Sequence, residues 1–167
     1  MRALEKIKSR EELRGIREEL HLRGRHVVFT NGCFDLLHRG HVRYLEAAGA
    51  LGDALIVAVN TDRSITQIKG PLRPIMDEES RAELVAALHC VDYVTLFDTP
   101  DPLDLIELLL PDFLVKGADW PEERIVGARA VREVGGQVVR IPLIPDISTT
   151  IIIQKIAKQC ARPLHQD

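Results

Sequence analysis

Short runs of apolar, mostly β-branched residues recur along the chain, and longer segments with apolar residues at three- and four-residue spacing separate them. This alternation is typical of parallel strands joined by crossover helices. Right-handed crossovers predict an α/β fold, a doubly wound five-stranded parallel sheet of order 3-2-1-4-5 with helices on both faces. The predicted strands cover residues 26–30, 54–60, 93–97, 113–116 and 137–141.

The predicted helices cover residues 9–22, 40–50, 77–88, 102–110, 122–134 and 148–160. The first is amphipathic, because Leu13, Ile16 and Leu20 share one face. A chain of 167 residues can bury one sizeable core but not two. We therefore expect a single domain over residues 1–167, with a leading helix in 1–24, a core in 25–160 and a tail in 161–167 that frays after Arg162.

Charge and cysteine content narrow the classes of partner. Lysine and arginine number 22 against 25 aspartate and glutamate, and no basic run could follow a nucleic-acid backbone. A few cations in one cleft can still bind a small anion. The three cysteines form no CxxC pair, which favours reduced thiols in the cytoplasm. The first residues resemble neither a signal peptide nor a membrane span, so we expect no nucleic-acid and no membrane partner.

Unusual polar clusters follow four of the predicted strands. In an open α/β sheet, ligands bind outside the carboxyl ends of the strands. The clusters, at residues 31–41, 61–62, 116–120 and 146–150, all fall on that edge. Independent surface loops would have no reason to concentrate such residues there, so the sequence predicts one ligand site at this edge.

The loop after the first strand contains neither a GxGxxG nor a P-loop motif, but it does contain His38-Arg39-Gly40-His41. If a helix begins near His38, both imidazoles lie on its first turn beside unpaired backbone N–H groups, and Gly40 lets a phosphate approach. The pattern predicts an anion site. Two alternatives stay open, namely two ordinary histidines near a helix end, or a zinc site with Cys33 as a third ligand.

Two further segments offer groups that bind phosphate. Lys69 and Arg73 lie in a Gly- and Pro-bearing stretch that cannot continue a helix, so we expect irregular backbone to present their cations. The alternative is that both cations are simply solvated. Ser148 precedes an apolar helical run and is typical of an N-cap, which would put a second helix N-terminus at the same edge.

Four motifs in this order resemble the HxGH-motif nucleotidyltransferase superfamily, which is also called cytidylyltransferase-like. More closely, the chain resembles the bacterial D-glycero-β-D-manno-heptose 1-phosphate adenylyltransferases. The resemblance runs from about residue 9 to residue 158 and implies a Rossmann-like fold. The motifs that carry it are residues 29–41, 69–75, 115–120 and 147–150.

The resemblance also implies site residues. His38, His41 and Lys69 would be catalytic, holding the nucleotide phosphates and stabilising charge as pyrophosphate leaves. The acceptor substrate would contact Asp62, Lys69, Arg73 and Arg81. The nucleotide would bind Thr30, Asn31, Gly32, Cys33, Phe34, Asp35, Gly40, Lys116, Gly117, Asp119, Trp120, Ser148, Thr149 and Thr150. Asp35 could in addition hold a magnesium ion.

The implied reaction transfers AMP from ATP to a heptose 1-phosphate with Mg²⁺ as cofactor and gives ADP-heptose and pyrophosphate. The ADP-heptose would serve cell-envelope glycan synthesis. A sugar phosphate is ionised near neutrality and needs no strong protein base. The alternatives are a cytidylyltransferase that uses CTP and glycerol 3-phosphate, an FMN adenylyltransferase and a non-catalytic nucleotide-binding module. The resemblance further implies a homodimer.

Some of these residues have structural alternatives. Asp35 could hydrogen-bond the local backbone of its turn, and Arg81 could pair with Asp77 or Glu78. Cys33 lies near the predicted site, but its neighbours supply no cation, so we expect an inert buried thiol.

Two departures from the family pattern affect specificity. Trp120 stands where tyrosine is the usual residue, and Ala118 takes a position that is often glycine, so base or sugar preference could differ. Trp120 could also be a packing residue rather than a base contact. The kinase domain to which the transferase is fused in some relatives is not part of this sequence.

Overall fold

The computed structural model describes residues 1–160, in which five parallel strands form one sheet. The strands are β1 (Val27–Gly32), β2 (Ala54–Asn60), β3 (Tyr93–Phe97), β4 (Phe113–Gly117) and β5 (Gln137–Ile141). Their order is β3-β2-β1-β4-β5, which confirms the predicted order. The central strand β1 pairs with β2 on one side and β4 on the other, so the chain reverses its winding direction there.

Helices follow or precede every strand. They are α1 (Ala3–Lys6), α2 (Arg10–Leu22), α3 (Arg39–Gly49), α4 (Asp62–Lys69), α5 (Glu78–Ala87), α6 (Leu103–Leu109), a 3₁₀ turn (Glu122–Arg124), α7 (Ala128–Glu133) and α8 (Thr149–Cys160). Side-chain caps explain where two of them begin. Ser9 and Glu12 form a capping box at α2, and the Thr61 hydroxyl accepts a hydrogen bond from the Ser64 N–H at α4.

The helix predicted over residues 122–134 is broken in the structure. A 3₁₀ turn follows Pro121, and Gly127 then takes a left-handed conformation with φ of 79° before α7 begins. A side chain at Gly127 would also collide with Ile106, because an added Cβ would lie 2.6 Å from its Cγ2. The apolar spacing was correct for α7, but it did not reveal this interruption.

Two short helices, α1 and α4, were not predicted. Helix α4 matters for the site, because Lys69 is its last residue and Gly70 ends it with a positive φ of 91°. The expectation that irregular backbone presents Lys69 is therefore wrong, although it holds for Arg73. Thr61 as an N-cap and the three-residue spacing of Ile65 and Ile68 were the available sequence signals.

The sheet is buried on both faces by side chains that alternate along each strand. Val28, Leu55 and Val57 pack with residues of α3 and α5 on one face. Phe29 and Ile56 pack on the other face with residues of α2, α6 and α7. Because both faces are covered, the polar groups at the carboxyl ends of the strands are left at the rim of the sheet.

No helix within residues 1–160 is both long enough and apolar enough to cross a membrane. The expected tail, residues 161–167, lies outside the described residues. The bounds of the other predicted elements differ from the observed ones by no more than two residues, as is usual at element ends.

Two leucines of α2 test how firmly the leading helix contributes to the core. Leu13 is fully buried, whereas Leu22 is 86% exposed. We expect Leu13→Ala to lower the free energy of unfolding by about 3 kcal/mol, because it leaves a cavity. The matched control Leu22→Ala should change it by less than about 0.5 kcal/mol. Urea denaturation measures both, and equal effects would show that α2 does not belong to the cooperative core.

Candidate active site

A cleft of about 500 Å³ opens at the carboxyl ends of the strands. Every strand of the sheet contributes to its lining, either through its last residue or through the loop that follows. The structure therefore brings together the polar clusters that the sequence placed at one edge. Of the predicted site residues, the cleft is lined by Asn31, Gly32, Cys33, Phe34, His38, Gly40, His41, Lys69, Lys116, Gly117, Asp119, Trp120, Ser148, Thr149 and Thr150.

The other predicted site residues lie outside the lining, and they are Thr30, Asp35, Asp62, Arg73 and Arg81. Thr30 is fully buried beneath the cleft. Its hydroxyl donates to the Val115 carbonyl at 3.0 Å and bonds the Tyr44 hydroxyl at 2.7 Å. Thr30 thus joins β1 to β4 and α3. It supports the floor of the site but does not face a ligand.

Asp35 anchors the loop after β1. Its carboxylate is 1% exposed and forms an ion pair with Arg73, whose Nε lies 2.9 Å from Oδ2. The backbone N–H groups of Ile75 and Met76 donate to the same carboxylate at 3.0 and 3.1 Å. The partners are about forty positions away, so Asp35 binds a distant loop rather than the local backbone of its own turn.

Arg81 makes a second buried connection to the same loop. Its guanidinium is fully buried and donates to the Cys33 carbonyl at 2.7 Å, the Met76 carbonyl at 3.0 Å and the Asp62 carboxylate at 2.7 Å. A charge buried this deeply is stable only when such partners satisfy it. Arg81 therefore fixes the β1 loop, the segment before α5 and the start of α4 relative to one another.

The expected pairing of Arg81 with Asp77 or Glu78 is wrong. Asp77 instead caps α5 by accepting from the Ser80 N–H at 2.7 Å, and Glu78 accepts from the Asp62 N–H at 2.7 Å. Asp62 is the residue that Arg81 binds. The sequence spacing favoured neighbours on the same helix and could not reveal a partner from another element.

Neither of the two metal sites considered for the sequence fits the structure. Both oxygens of Asp35 already accept hydrogen bonds from protein donors, and Asp35 is not accessible to an ion in the cleft. Within residues 1–160, no three His, Cys, Asp or Glu side chains are grouped so that they could hold a metal ion. The lack of such a group within residues 1–160 argues against the zinc site of His38, His41 and Cys33, and the burial and hydrogen bonds of Asp35 argue against a magnesium site there.

The two histidines form a stacked pair at the start of α3. His38 is the N-cap, and its Nδ1 accepts a hydrogen bond from the Gly40 N–H at 3.1 Å. The His41 ring lies 3.9 Å from the His38 ring at an interplanar angle of 17°, with Phe34 edge-on behind it. Gly40 permits this arrangement, because an added Cβ would lie 2.9 Å from the His38 ring and 3.3 Å from Ile147.

These contacts determine which nitrogen can meet a ligand. Nδ1 of His38 is occupied as an acceptor, so the proton of the neutral ring is on Nε2. Nδ1 of His41 is buried without a hydrogen-bond partner among the described residues. An unpaired N–H group costs more free energy in a buried position than an unpaired acceptor does, so this nitrogen is the unprotonated one. We therefore assign Nε2–H to both rings.

Both histidines are neutral at physiological pH. Burial lowers the pKa of His41 from its ordinary value of 6.5 to about 4, and repulsion from His38 and Lys69 adds to the effect against the opposing attraction of Asp35. Burial also lowers the pKa of His38, while a backbone hydrogen bond opposes the shift. The pair can thus donate hydrogen bonds without carrying formal charge.

Lys116 supplies a partly buried cation near the end of β4. Its ammonium donates to the Asn31 side-chain oxygen and lies 5.9 Å from the centre of the Trp120 ring. Burial lowers the pKa of Lys116 to about 8, although the nearby Asp119 and Cys33 oppose the shift. Trp120 itself is 49% exposed, which shows that it is not a core packing residue.

The start of α8 lines the cleft beside the β1 loop. The Ser148 hydroxyl accepts from the Ile151 N–H at 3.2 Å, which confirms the predicted N-cap. The Thr149 hydroxyl donates to the Asp35 carbonyl, so the β1 loop and α8 are joined directly. Lys69, the last residue of α4, also lines the cleft.

Several residues that line the cleft were not predicted from the sequence. Most are apolar or belong to loops whose path depends on tertiary packing, so neither a motif nor a spacing marks them. Cys33, expected to be buried, is only partly buried and lines the cleft. The missed residues are Tyr44, Asn60, Ile68, Pro100, Asp101, Pro102, Arg124, Ile125, Val126, Leu143, Ile144 and Ile147.

Residues 29–155 match the family model described as cytidylyltransferase-like. The match covers the cleft from the β1 loop to α8. The chain belongs to the cytidylyltransferase-like family. The superfamily inferred from the HxGH motif is thereby confirmed.

Curated relatives of this cytidylyltransferase-like chain are named bifunctional protein HldE. The relative from Trichlorobacter lovleyi is 52% identical over 154 residues, which are 92% of this chain and 31% of the relative. The relative from Geobacter metallireducens is 49% identical over 153 residues, again 92% and 31% of the two chains. The chain thus spans about a third of the length of these relatives.

Two solved structures share the fold. A lipopolysaccharide core biosynthesis protein from Thermoplasma volcanium is 31% identical, with a TM-score of 0.60 over 72% of this chain and 98% of the other. The pantoate-beta-alanine ligase from Francisella tularensis, in complex with beta-gamma ATP and beta-alanine, has a TM-score of 0.62 over 96% of this chain and 79% of the other. At 15% identity, the second likeness concerns the fold alone.

The buried ion pair predicts a structural rather than a metal-binding role for Asp35. Asp35→Asn should lower the free energy of unfolding by about 3 kcal/mol, because Arg73 loses its buried counter-charge. The control Asp104→Asn changes a carboxylate that is 68% exposed and should have little effect. Denaturation by urea measures both. A stable Asp35→Asn protein with weakened Mg²⁺ dependence of activity would contradict this assignment.

The low pKa of His41 predicts a pH effect on stability. Unfolding releases the imidazole to its ordinary pKa of 6.5, so the unfolded chain binds more protons between pH 6.5 and 4, and stability falls as the pH falls through that window. Between pH 7 and pH 5, the wild type should lose about 1 to 2 kcal/mol more than His41→Gln does. Urea midpoints at the two pH values measure this, and parallel losses would refute a depressed pKa.

Proposed function

We propose that this chain transfers AMP from ATP to heptose 1-phosphate and thereby forms ADP-heptose and pyrophosphate. The observation that carries the proposal is one cleft in which the stacked histidines, the Lys69 cation and the N-terminus of α8 converge. Identity of about 50% to HldE proteins supports the heptose substrate. The description of the T. volcanium neighbour as a lipopolysaccharide core biosynthesis protein supports a role in cell-envelope glycan synthesis.

In the proposed reaction, an oxygen of the acceptor phosphate attacks the α-phosphorus of ATP. A bond forms between that oxygen and the α-phosphorus, and the bond from the α-phosphorus to the oxygen bridging to the β-phosphorus breaks. Pyrophosphate leaves with the bonding electrons. The acceptor phosphate, with a second pKa near 6, is already an anion at neutral pH. Positioning and charge stabilisation can therefore carry the catalysis without a general base.

His38 and His41 would hold the phosphates through Nε2–H. Because both rings are neutral, they stabilise charge by directed hydrogen bonds whose geometry is fixed before the substrate arrives. The stacking leaves the pair little freedom to rotate. The negative charge that develops as pyrophosphate leaves would be stabilised by Nε2–H groups that are already in position.

Lys69 and the first turn of α8 would bind the remaining phosphate charge. Unpaired N–H groups at a helix N-terminus favour an anion, and Ser148, Thr149 and Thr150 line the cleft there. Lys69 would reach phosphate from the end of α4 at the side next to β2. Asp62, Arg73 and Arg81, which are bound to other protein groups, would support this wall rather than contact the acceptor.

The base would bind beside β4. Gly117 approaches so closely to Asp119 and Leu143 that an added Cβ would lie 2.5 Å from the Asp119 carboxylate and 3.2 Å from Leu143. Trp120 lines the same part of the cleft, and the Lys116 ammonium lies over its ring at 5.9 Å from the centre. Stacking on Trp120 and backbone contacts at Gly117 would hold the base in this part of the cleft.

The described residues form no metal site, so Mg²⁺ would enter as the counter-ion of the ATP phosphates and no step is assigned to a protein-held metal. We also propose one domain, 1–167, acting in the cytoplasm as a homodimer. The unpaired thiols of Cys33, Cys90 and Cys160 agree with a reducing compartment. The apolar side chains of Ile151 and Ile156, about half exposed on α8, agree with a partner surface.

A substrate panel tests the proposed reaction. Pyrophosphate release is measured with ATP and with CTP, each against heptose 1-phosphate, glycerol 3-phosphate and FMN. We expect turnover with ATP and heptose 1-phosphate. A preference for CTP and glycerol 3-phosphate would make the chain a cytidylyltransferase, and the absence of turnover with every pair would favour a non-catalytic nucleotide-binding module.

The same assay tests His41. His41→Ala should lower kcat about a hundredfold, as does the loss of one donor that acts in the transition state. His89→Ala is the matched control, because His89 is exposed and lies outside the cleft. A change in KM with kcat intact would mean that His41 contributes binding alone.

A further inference from the structure

The cleft contains few permanent positive charges for the substrates that it is proposed to bind. ATP and a sugar phosphate together bring several negative charges, and His38 and His41 are neutral at pH 7. Among the lining residues, only Lys69, Lys116 and Arg124 are lysine or arginine. Each of these cations therefore has a distinct share of the phosphate charge to balance.

Two of the three cations already have a place in the proposed function. Lys116 is held by Asn31 at the floor near the base site, and Lys69 ends α4. Arg124 forms no hydrogen bond through its side chain and no salt bridge with any residue from 1 to 160. The neighbouring Glu122 is taken by Arg132 instead.

The chain next to Arg124 packs against α6, the helix that follows β3. Arg124 ends the 3₁₀ turn, and the next residue, Ile125, is buried in a cluster with Leu105 and Ile106 of α6. Gly127 passes so close to Ile106 that no side chain would fit between them. Helix α6 follows β3, and the lining that contains Arg124 also contains residues 100–102, which lead from β3 into α6.

The nucleotide and the acceptor would occupy different halves of the cleft. The base site lies at β4, and the helix N-termini that suit the ATP phosphates lie at β1 and β5. The acceptor is left with the half at β2 and β3, where Lys69 also lies. Asp101 in this half is a carboxylate, which repels phosphate and accepts hydrogen bonds from hydroxyl groups, so it suits the sugar rather than its phosphate.

We propose that Arg124 is the acceptor-phosphate clamp, which binds the phosphate of the sugar phosphate together with Lys69. The inference rests on the proposed function and adds a residue that specifies a phosphorylated acceptor. A guanidinium can donate two parallel hydrogen bonds to one phosphate, and an unpaired arginine needs to break no ion pair to do so. The bound phosphate neutralises a charge that has no partner within residues 1–160.

Steady-state kinetics of Arg124 variants test the clamp. Arg124→Gln should raise the KM for heptose 1-phosphate about tenfold or more, because two charge-assisted hydrogen bonds are lost, and leave the KM for ATP within about twofold. Arg124→Lys keeps the charge but not the two parallel donors of the guanidinium. Its KM for heptose 1-phosphate should lie between those of the wild type and Arg124→Gln. Arg129→Gln removes the same charge from a residue of α7 that is outside the cleft and 91% exposed, so its constants should equal those of the wild type.

Any other result of these kinetic measurements contradicts the proposed role of Arg124. A raised KM for ATP with an unchanged KM for the acceptor would place Arg124 on the nucleotide phosphates. Unchanged constants for both substrates would make it a solvated side chain. Thermal unfolding of Arg124→Gln should match that of Arg129→Gln, so a general loss of folding is detected separately.

Binding measurements keep the two proposals distinguishable. If the wild type shows no turnover, the proposed reaction fails, and calorimetric titration of heptose 1-phosphate into protein saturated with a non-hydrolysable ATP analogue still tests the clamp. Weaker binding to Arg124→Gln than to Arg129→Gln supports it. The clamp is overturned if heptose 1-phosphate binds the two variants equally. It is also overturned if heptose 1-phosphate binds neither the variants nor the wild type.

Discussion

Buried charge holds the loop after β1 in place, and the cleft depends on that loop. The Asp35 carboxylate and the Arg81 guanidinium are both inaccessible to solvent, and their partners lie on α4 and the segment before α5. Removing either charge would leave its partners unsatisfied in a place that water does not reach. These contacts hold the loop in the conformation that positions His38 and His41.

The same loop carries backbone strain that these contacts offset. Phe34 and Leu36 have positive φ angles of 48° and 49°, which non-glycine residues adopt rarely. Phe34 in this conformation supports the His41 ring edge-on, and Asp35 between the two strained residues points into the protein. The local cost of the conformation is offset by the ion pair and hydrogen bonds that end on Asp35.

Much of this architecture could be predicted from the sequence, because its signals are local. β-branched runs with helical spacing between them determined the strand order, and the HxGH motif located the start of α3. The partners of Asp35 and Arg81 could not be predicted, because each contact joins residues from different elements. Gly40 was expected to admit a phosphate, whereas the structure shows that it also makes room for the His38 ring.

Trp120 gives the cleft an optical property. It is the one tryptophan of the chain, it is about half exposed, and a lysine ammonium lies near its ring. The emission of this indole therefore responds to the polarity and charge at one edge of the sheet. Events at the proposed base site can be followed in the unmodified chain by its intrinsic fluorescence, without a label.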